Sequence, residues 1–306
     1  MTDYARLIDE PTRAFIRATE ASYPPDTASL TIADQRAIYD RMCRAFFRGY
    51  PPGVVAVDRA FGGVPCRHYA GAGGVVIYLH GGGFVVGGLH SHDDVCAEIA
   101  GATGLQVVAV DYRLCPEHPH PAALEDALAA TRAVAGALGG PLVMAGDSAG
   151  GNLAAAVCHL AGRRGALGIV GQVLIYPGLG GDRDRGSYLT HAQAPMLTRD
   201  DVLFYAGIRH PGGVEPAADA SFAPLADADF TGLPPTLAVA AECDPLADDA
   251  GAYAARVVAA GGRAQAVVEP GLVHGWLRAR ATVPRAAAAF DRIVQAVGAM
   301  ARGDWG

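Results

Sequence analysis

The sequence predicts an α/β protein: a mostly parallel sheet of eight strands with helices on both faces. Three observations predict it. From Val54 onward, short β-rich runs alternate with helix-patterned stretches, and most of the runs are continuously apolar. Strands of that kind, separated by helices, belong to parallel sheets covered on both sides. The length of 306 residues with 51% hydrophobic side chains suffices for one large core.

Residues 1–50 read as two helices, around Thr12 to Ala21 and Ile32 to Phe47. The runs Val54–Phe61, Val64–Ala70 and Val75–His80 follow as strands, then a helical stretch over 92–102 and the strand Gln106–Tyr112. A helix over 120–137, the strand Leu142–Asp147, a helix over 149–163 and the strand Ile169–Tyr176 continue the alternation. Residues 180–225 break it, being polar and turn-rich with one brief helix near Arg199 to Ile208. The strand Thr236–Ala241, a helix over 246–260, the strand Ala264–Glu269 and a helix over 284–300 complete the chain. The expected organisation is therefore a core of residues 51–179 and 226–306, with residues 1–50 and 180–225 folded over the carboxyl edge of the sheet as a helical cap. Ligand sites on open α/β sheets lie at that edge.

A net charge of -7 without runs of like charge argues against nucleic-acid binding. All 24 basic residues are arginine, which excludes a Schiff-base lysine, a P-loop lysine and a serine-lysine pair. The six cysteines show no C-x-x-C spacing, so reduced thiols in a cytoplasmic protein are expected. The amino-terminal segment carries charges where a signal peptide needs an apolar core, and no stretch of about 18 residues is apolar enough to span a bilayer. Neither secretion nor membrane insertion is expected.

The segment Gly146-Asp147-Ser148-Ala149-Gly150 is a G-x-S-x-G pattern between a strand and a helix. In that context the serine sits on a strained elbow, its hydroxyl lifted above the sheet, and the following helix aims its positive end at a developing oxyanion. Taken alone, the pattern fits a structural turn equally well. His80-Gly81-Gly82-Gly83-Phe84 follows an apolar strand. Its glycines allow close approach of backbone N–H groups, which with Ala149 can form an oxyanion hole. A phosphate loop is the poorer reading, because neither a lysine nor a G-x-G-x-x-G spacing follows.

A serine nucleophile needs a histidine to take its proton and a carboxylate to orient that histidine. His274, between the last strand and the final helix, is the best-placed base. Asp244, at a strand end before Pro245-Leu246, is the preferred acid, with Glu242 as its rival; Asp248 and Asp249 read as first-turn helix carboxylates. His118 and His120 read as loop packing. His90 and His92 read as flanking a helix start capped by Ser91. No metal-site spacing such as H-E-x-x-H occurs, so no metal is expected.

Taken together, HGGGF at 80, DYRLCPEHPHPAALEDA from Asp111, GDSAGG at 146, DPLADDA from Asp244 and HGW at 274 resemble the bacterial hormone-sensitive-lipase-like (family IV) carboxylesterases of the α/β-hydrolase superfamily, in the GDSAG branch. The match spans roughly residues 54–300, with the motifs in order. The resemblance implies Ser148 as nucleophile, His274 as base and then acid, and Asp244 as its partner. It implies the N–H groups of Gly82, Gly83 and Ala149 as oxyanion donors, with His80 holding the glycine loop. Asp111, Arg113 and Glu117 also match and read as a structural charge network.

The expected activity is hydrolysis of short- to medium-chain carboxylic esters through an acyl-enzyme, without a cofactor. The alternatives are an amide or formamide hydrolase of the kynurenine-formamidase kind and a small-molecule receptor on the same fold. Relatives often dimerise at the sheet edge, so a homodimer through the last strand and final helix is an expectation.

Overall fold

The computed structural model describes residues 2–24, 27, 30–212, 215–216 and 218–305. Eight strands form one sheet: β1 (Ala56–Phe61), β2 (Val64–Tyr69), β3 (Val75–Leu79), β4 (Gln106–Val110), β5 (Leu142–Asp147), β6 (Ile169–Ile175), β7 (Thr236–Cys243) and β8 (Ala264–Val273). Their order is β1-β2-β4-β3-β5-β6-β7-β8. β2 is antiparallel to β1 and β4, and every pairing from β4 through β3 to β8 is parallel. The helices are α1 (Tyr4–Leu7), α2 (Glu10–Glu20), α3 (Ile32–Phe46), α4 (Asp93–Thr103), α5 (Ala122–Leu138), α6 (Ala149–Ala161), α7 (Gly186–Thr190), α8 (Arg199–Arg209), α9 (Ala247–Ala259) and α10 (Pro284–Arg302).

The apolar strands are buried on both faces, which explains why they lack alternation in the sequence. In β3, Val75, Ile77 and Leu79 join one core with α5, α6 and α9, while Val76 and Tyr78 join the other with α4 and α10. Each fully buried aliphatic side chain of this kind contributes about 1.5–3 kcal/mol. The two cores hold the central strands rigidly, and their carboxyl ends carry the candidate residues. No helix among the described residues is long and apolar enough to cross a membrane. All six cysteines are buried and unpaired.

Three expectations need correction. The Pro270-Gly271 pair does not end the last strand: β8 continues to Val273, with the register shifting between Ala241 and Cys243 on its partner. The Gly271 N–H freed by that irregularity donates to the Glu242 carboxylate at 2.6 Å, so the strand can resume. Ser91 does not cap α4. The residue before the helix is His92, and the Ser91 hydroxyl donates to the Gly88 carbonyl instead. Asp111, Arg113 and Glu117 do not form one network: Arg113 pairs with Glu125 and Asp126, and Glu117 pairs with Arg36. Among the described residues, Asp111 has no ion-pair partner.

Candidate active site

β5 ends at Asp147 and α6 begins at Ala149, so one residue makes the whole reversal. Ser148 does so at φ 54° and ψ −117°. A non-glycine residue in such a conformation costs about 1–3 kcal/mol and persists only where its surroundings impose it. Close packing imposes it here. A Cβ on Gly150 would lie 1.9 Å from the Leu79 carbonyl oxygen, so α6 lies directly on the end of β3. The Ser148 side chain makes no capping bond to its own helix and is free to point outward.

Its Oγ lies 2.8 Å from Nε2 of His274, whose Nδ1 lies 2.7 Å from Oδ2 of Asp244. Since Nδ1–H donates to the carboxylate, Nε2 carries the lone pair that faces the serine hydroxyl. Asp244 is fully buried, and its other oxygen accepts the Leu246 N–H at 2.9 Å. These three side chains follow β5, β7 and β8, which are remote in sequence and adjacent at the carboxyl edge. Glu242 is turned to Gly271 and makes no bond to His274. Asp248 and Asp249 do stand in the first turn of α9, but they also reach across it: Asp248 accepts the Ser187 N–H at 2.8 Å and Asp249 the Leu179 N–H at 2.6 Å.

Beside the serine, Gly82, Gly83 and Phe84 all have positive φ (128°, 60° and 65°), a run that folds the loop over β3. Among the described residues, no acceptor takes the N–H groups of Gly82, Gly83 or Ala149. Two side chains fasten this loop. His80 donates from Nδ1 to the Gly81 carbonyl at 2.8 Å, while the Tyr112 hydroxyl donates to the His80 carbonyl at 2.6 Å. Burial, reinforced by His92, pulls the His80 imidazole down to about 3, so it stays neutral.

A third side chain, Asp147, also fastens the loop. Its Oδ1 accepts the Gly81 N–H and the Tyr78 hydroxyl, both at 2.9 Å, and His92 lies 3.2 Å away. Burial alone would raise this carboxyl; the charges of His92 and Arg278 and the Tyr78 hydroxyl reverse that and hold it below the ordinary carboxylate range. The second residue of the elbow thus anchors the glycine loop. Among the described residues no cluster of His, Cys, Asp or Glu is arranged to hold a metal ion.

Residues 76–278 match the family described by the α/β-hydrolase fold. The chain is 42% identical over 229 residues to a Mycobacterium tuberculosis protein named carboxylesterase NlhH, covering 71% of each chain. The chain belongs to the α/β-hydrolase fold family. Its place among the hormone-sensitive-lipase-like carboxylesterases is carried by such relatives. Another is the Pseudomonas putida protein named ethyl acetate hydrolase, 36% identical over 235 residues and covering 74% of this chain and 73% of that one. The crystallised hyperthermophilic esterase of Pyrobaculum calidifontis superimposes with a TM-score of 0.85 at 32% identity, over 96% of this chain and 99% of that one.

In this hydrolase two cavities meet at Ser148. One, of about 710 Å³, is lined by His274, Asp147, Tyr176 and Arg278 of the core and by Tyr39 of α3. The other, of about 310 Å³, runs along α6 past Ala149 and Asn152 to Arg209. Tyr205 and Leu197 contribute to both. Sequence reasoning missed Asp147, Tyr112, Tyr205, Arg209 and Arg278. Asp147 left a usable signal, because an acid ending an apolar strand must find buried partners. Arg209 left none: at the end of α8 it looks like an ordinary cation beside a helix carboxyl terminus.

Proposed function

We propose that this carboxylic ester hydrolase acts on short- to medium-chain esters through an acyl-enzyme on Ser148. His274 accepts the serine proton as Oγ attacks the carbonyl carbon, and Asp244 holds the imidazole in the required tautomer and stabilises the cation it becomes. The N–H groups of Gly82, Gly83 and Ala149 receive the oxyanion. His274 then returns the proton to the departing alkoxide, and water repeats the sequence to release the acid. The observation that carries this reading is the unbroken line from Ser148 through His274 to Asp244, at 2.8 and 2.7 Å, beside N–H groups that have no acceptor among the described residues.

The leaving oxygen must face Nε2 to receive its proton. The alcohol therefore belongs in the cavity lined by His274, and the acyl group in the 310 Å³ cavity that His274 does not line. The small volume on the acyl side favours short chains. Residues 1–50 and 180–225 act as the cap, supported by Tyr39 and Tyr205 in the cavity walls. Buried free thiols support a cytoplasmic setting. β8, an edge strand with Val268 exposed, supports a homodimer through β8 and α10, which sedimentation at micromolar concentration tests.

The decisive experiment is hydrolysis of p-nitrophenyl esters from acetate to laurate by wild type and Ser148→Ala, with phenylmethylsulfonyl fluoride labelling located by mass spectrometry. Activity should fall with chain length, the label should sit on Ser148, and the variant should lose about 10³-fold or more while staying folded. A folded wild-type protein showing neither turnover nor label would overturn the reading.

A further inference from the structure

Arg209 is 5% exposed and forms part of the wall of the smaller cavity. Its guanidinium lies between the rings of Phe84 and Phe222, 3.8 and 4.2 Å from their centroids. Nη1 donates to the Phe222 carbonyl at 3.0 Å; Nη2 donates to Oδ1 of Asn152 at 3.2 Å and to the Ser221 carbonyl at 3.4 Å. A guanidinium has five N–H groups, so one on Nη1 and the one on Nε remain. Burial pulls its affinity for the proton down to about 9, which still leaves it a cation at neutral pH.

Among the described residues, no carboxylate lies within ion-pair distance of this cation. Glu215, the acid in the cavity wall, is held by Arg183 through contacts of 3.0 and 2.9 Å. With Arg183 and Glu215 cancelling, the wall keeps one uncompensated positive charge among the described residues. A buried charge without a counter-charge is costly, and a methionine or leucine would fill the same space at less cost. An anion entering through the cavity would supply the counter-charge.

Position sets the length of the group that brings it. Asn152, the partner of Nη2, stands four residues after Ser148 on α6, about 6 Å further along the helix axis. We infer that the acyl cavity takes a short acyl group ending in a carboxylate, which Arg209 receives, so that the preferred substrates are monoesters of short dicarboxylic acids. This rests on the ester-hydrolase reading and on the acyl assignment above. Water adds its oxygen to the acyl carbon and one proton to the alcohol, the ester C–O bond breaks, and the products are a dicarboxylate, an alcohol and one released proton.

The test compares kcat/KM for monoethyl glutarate and for ethyl pentanoate, followed by proton release. A charge-assisted pair should favour the hemiester on the order of ten- to a hundredfold. In Arg209→Met that preference should collapse, and Arg209→Lys, which keeps the charge but loses the planar fork, should retain part of it. Should neither variant fold, wild type alone decides: glutarate should inhibit p-nitrophenyl butyrate hydrolysis at least tenfold more strongly than pentanoate. Equal turnover of the two ethyl esters, or equal inhibition by the two acids, overturns the inference and leaves the esterase reading intact. Failure to hydrolyse any ester overturns both.

Discussion

Proline would delete a backbone donor but cannot adopt the positive φ of this loop, and Gly83 offers a way to displace the donor instead. Its φ of 60° costs an alanine about 1–2 kcal/mol. A Cβ there would also lie 2.5, 2.6 and 2.8 Å from three atoms of the Tyr205 ring. Restoring ordinary contact requires ring and loop to part by roughly 0.9 Å, and a misplacement near 1 Å costs about 10²-fold in rate. The loop bears the shift poorly, because Asp147 holds Gly81, and the N–H groups of Val85 and Val86 both donate to the Gly82 carbonyl at 3.0 Å. Gly83→Ala should therefore lose about 10²-fold in kcat/KM for p-nitrophenyl butyrate, chiefly in kcat, since the donor matters most when the oxyanion forms. Removing the ring in Gly83→Ala/Tyr205→Ala should recover a large part of the loss. Activity within threefold of wild type in the single variant, or no recovery in the double, would refute the argument.

Two further outcomes follow from the same geometry. Asp244→Asn should cost about 10³–10⁴-fold in kcat by losing the tautomer, whereas Glu242→Gln, which keeps an acceptor for the Gly271 N–H, should stay within a few-fold; steady-state kinetics of the pair would expose a wrong acid. Asp249 gives a pH signature. Burial, aided by Asp244, raises its carboxyl to about 7 against the N–H groups of Leu179 and Gly181 and the Tyr188 hydroxyl. The folded protein then keeps a proton that the unfolded chain releases above about pH 4, so this group's stabilisation is complete in acid and fades as pH rises through 7. Asp249→Asn should gain stability over wild type at pH 8 relative to pH 4 in urea unfolding, and an identical difference at both would reject the assignment.

The alternation of strand and helix was legible because β3 to β7 are apolar on both faces and α4, α5 and α6 between them are long enough to show their period. The order of Ser148, Asp244 and His274 was legible because each lies just after a recognisable strand. Residue patterns alone did not reveal what joins neighbours in space. Glu242 and Asp244 both look like strand-end acids, and only the irregular pairing of β7 with β8 sends one to Gly271 and the other to His274. Arg209 enters the smaller cavity from a segment whose sequence is polar and turn-rich. Its burial depends on Phe84 and Phe222, 125 positions before and 13 after it, and no local window contains all three.

Asp147 changes what the elbow motif means as a pattern. Written G-x-S-x-G, its second position is a wildcard, yet here that carboxylate accepts the N–H of Gly81, and a Cβ on Gly81 would come within 2.3 Å of its Oδ2. The two positions are one specification written 66 residues apart in the chain. A query that names an aspartate inside the elbow together with a glycine after the histidine would select chains able to tether the loop to the nucleophile. A query for either alone would also admit chains in which donors and serine are positioned independently, and an engineer grafting the elbow onto another scaffold would have to carry both.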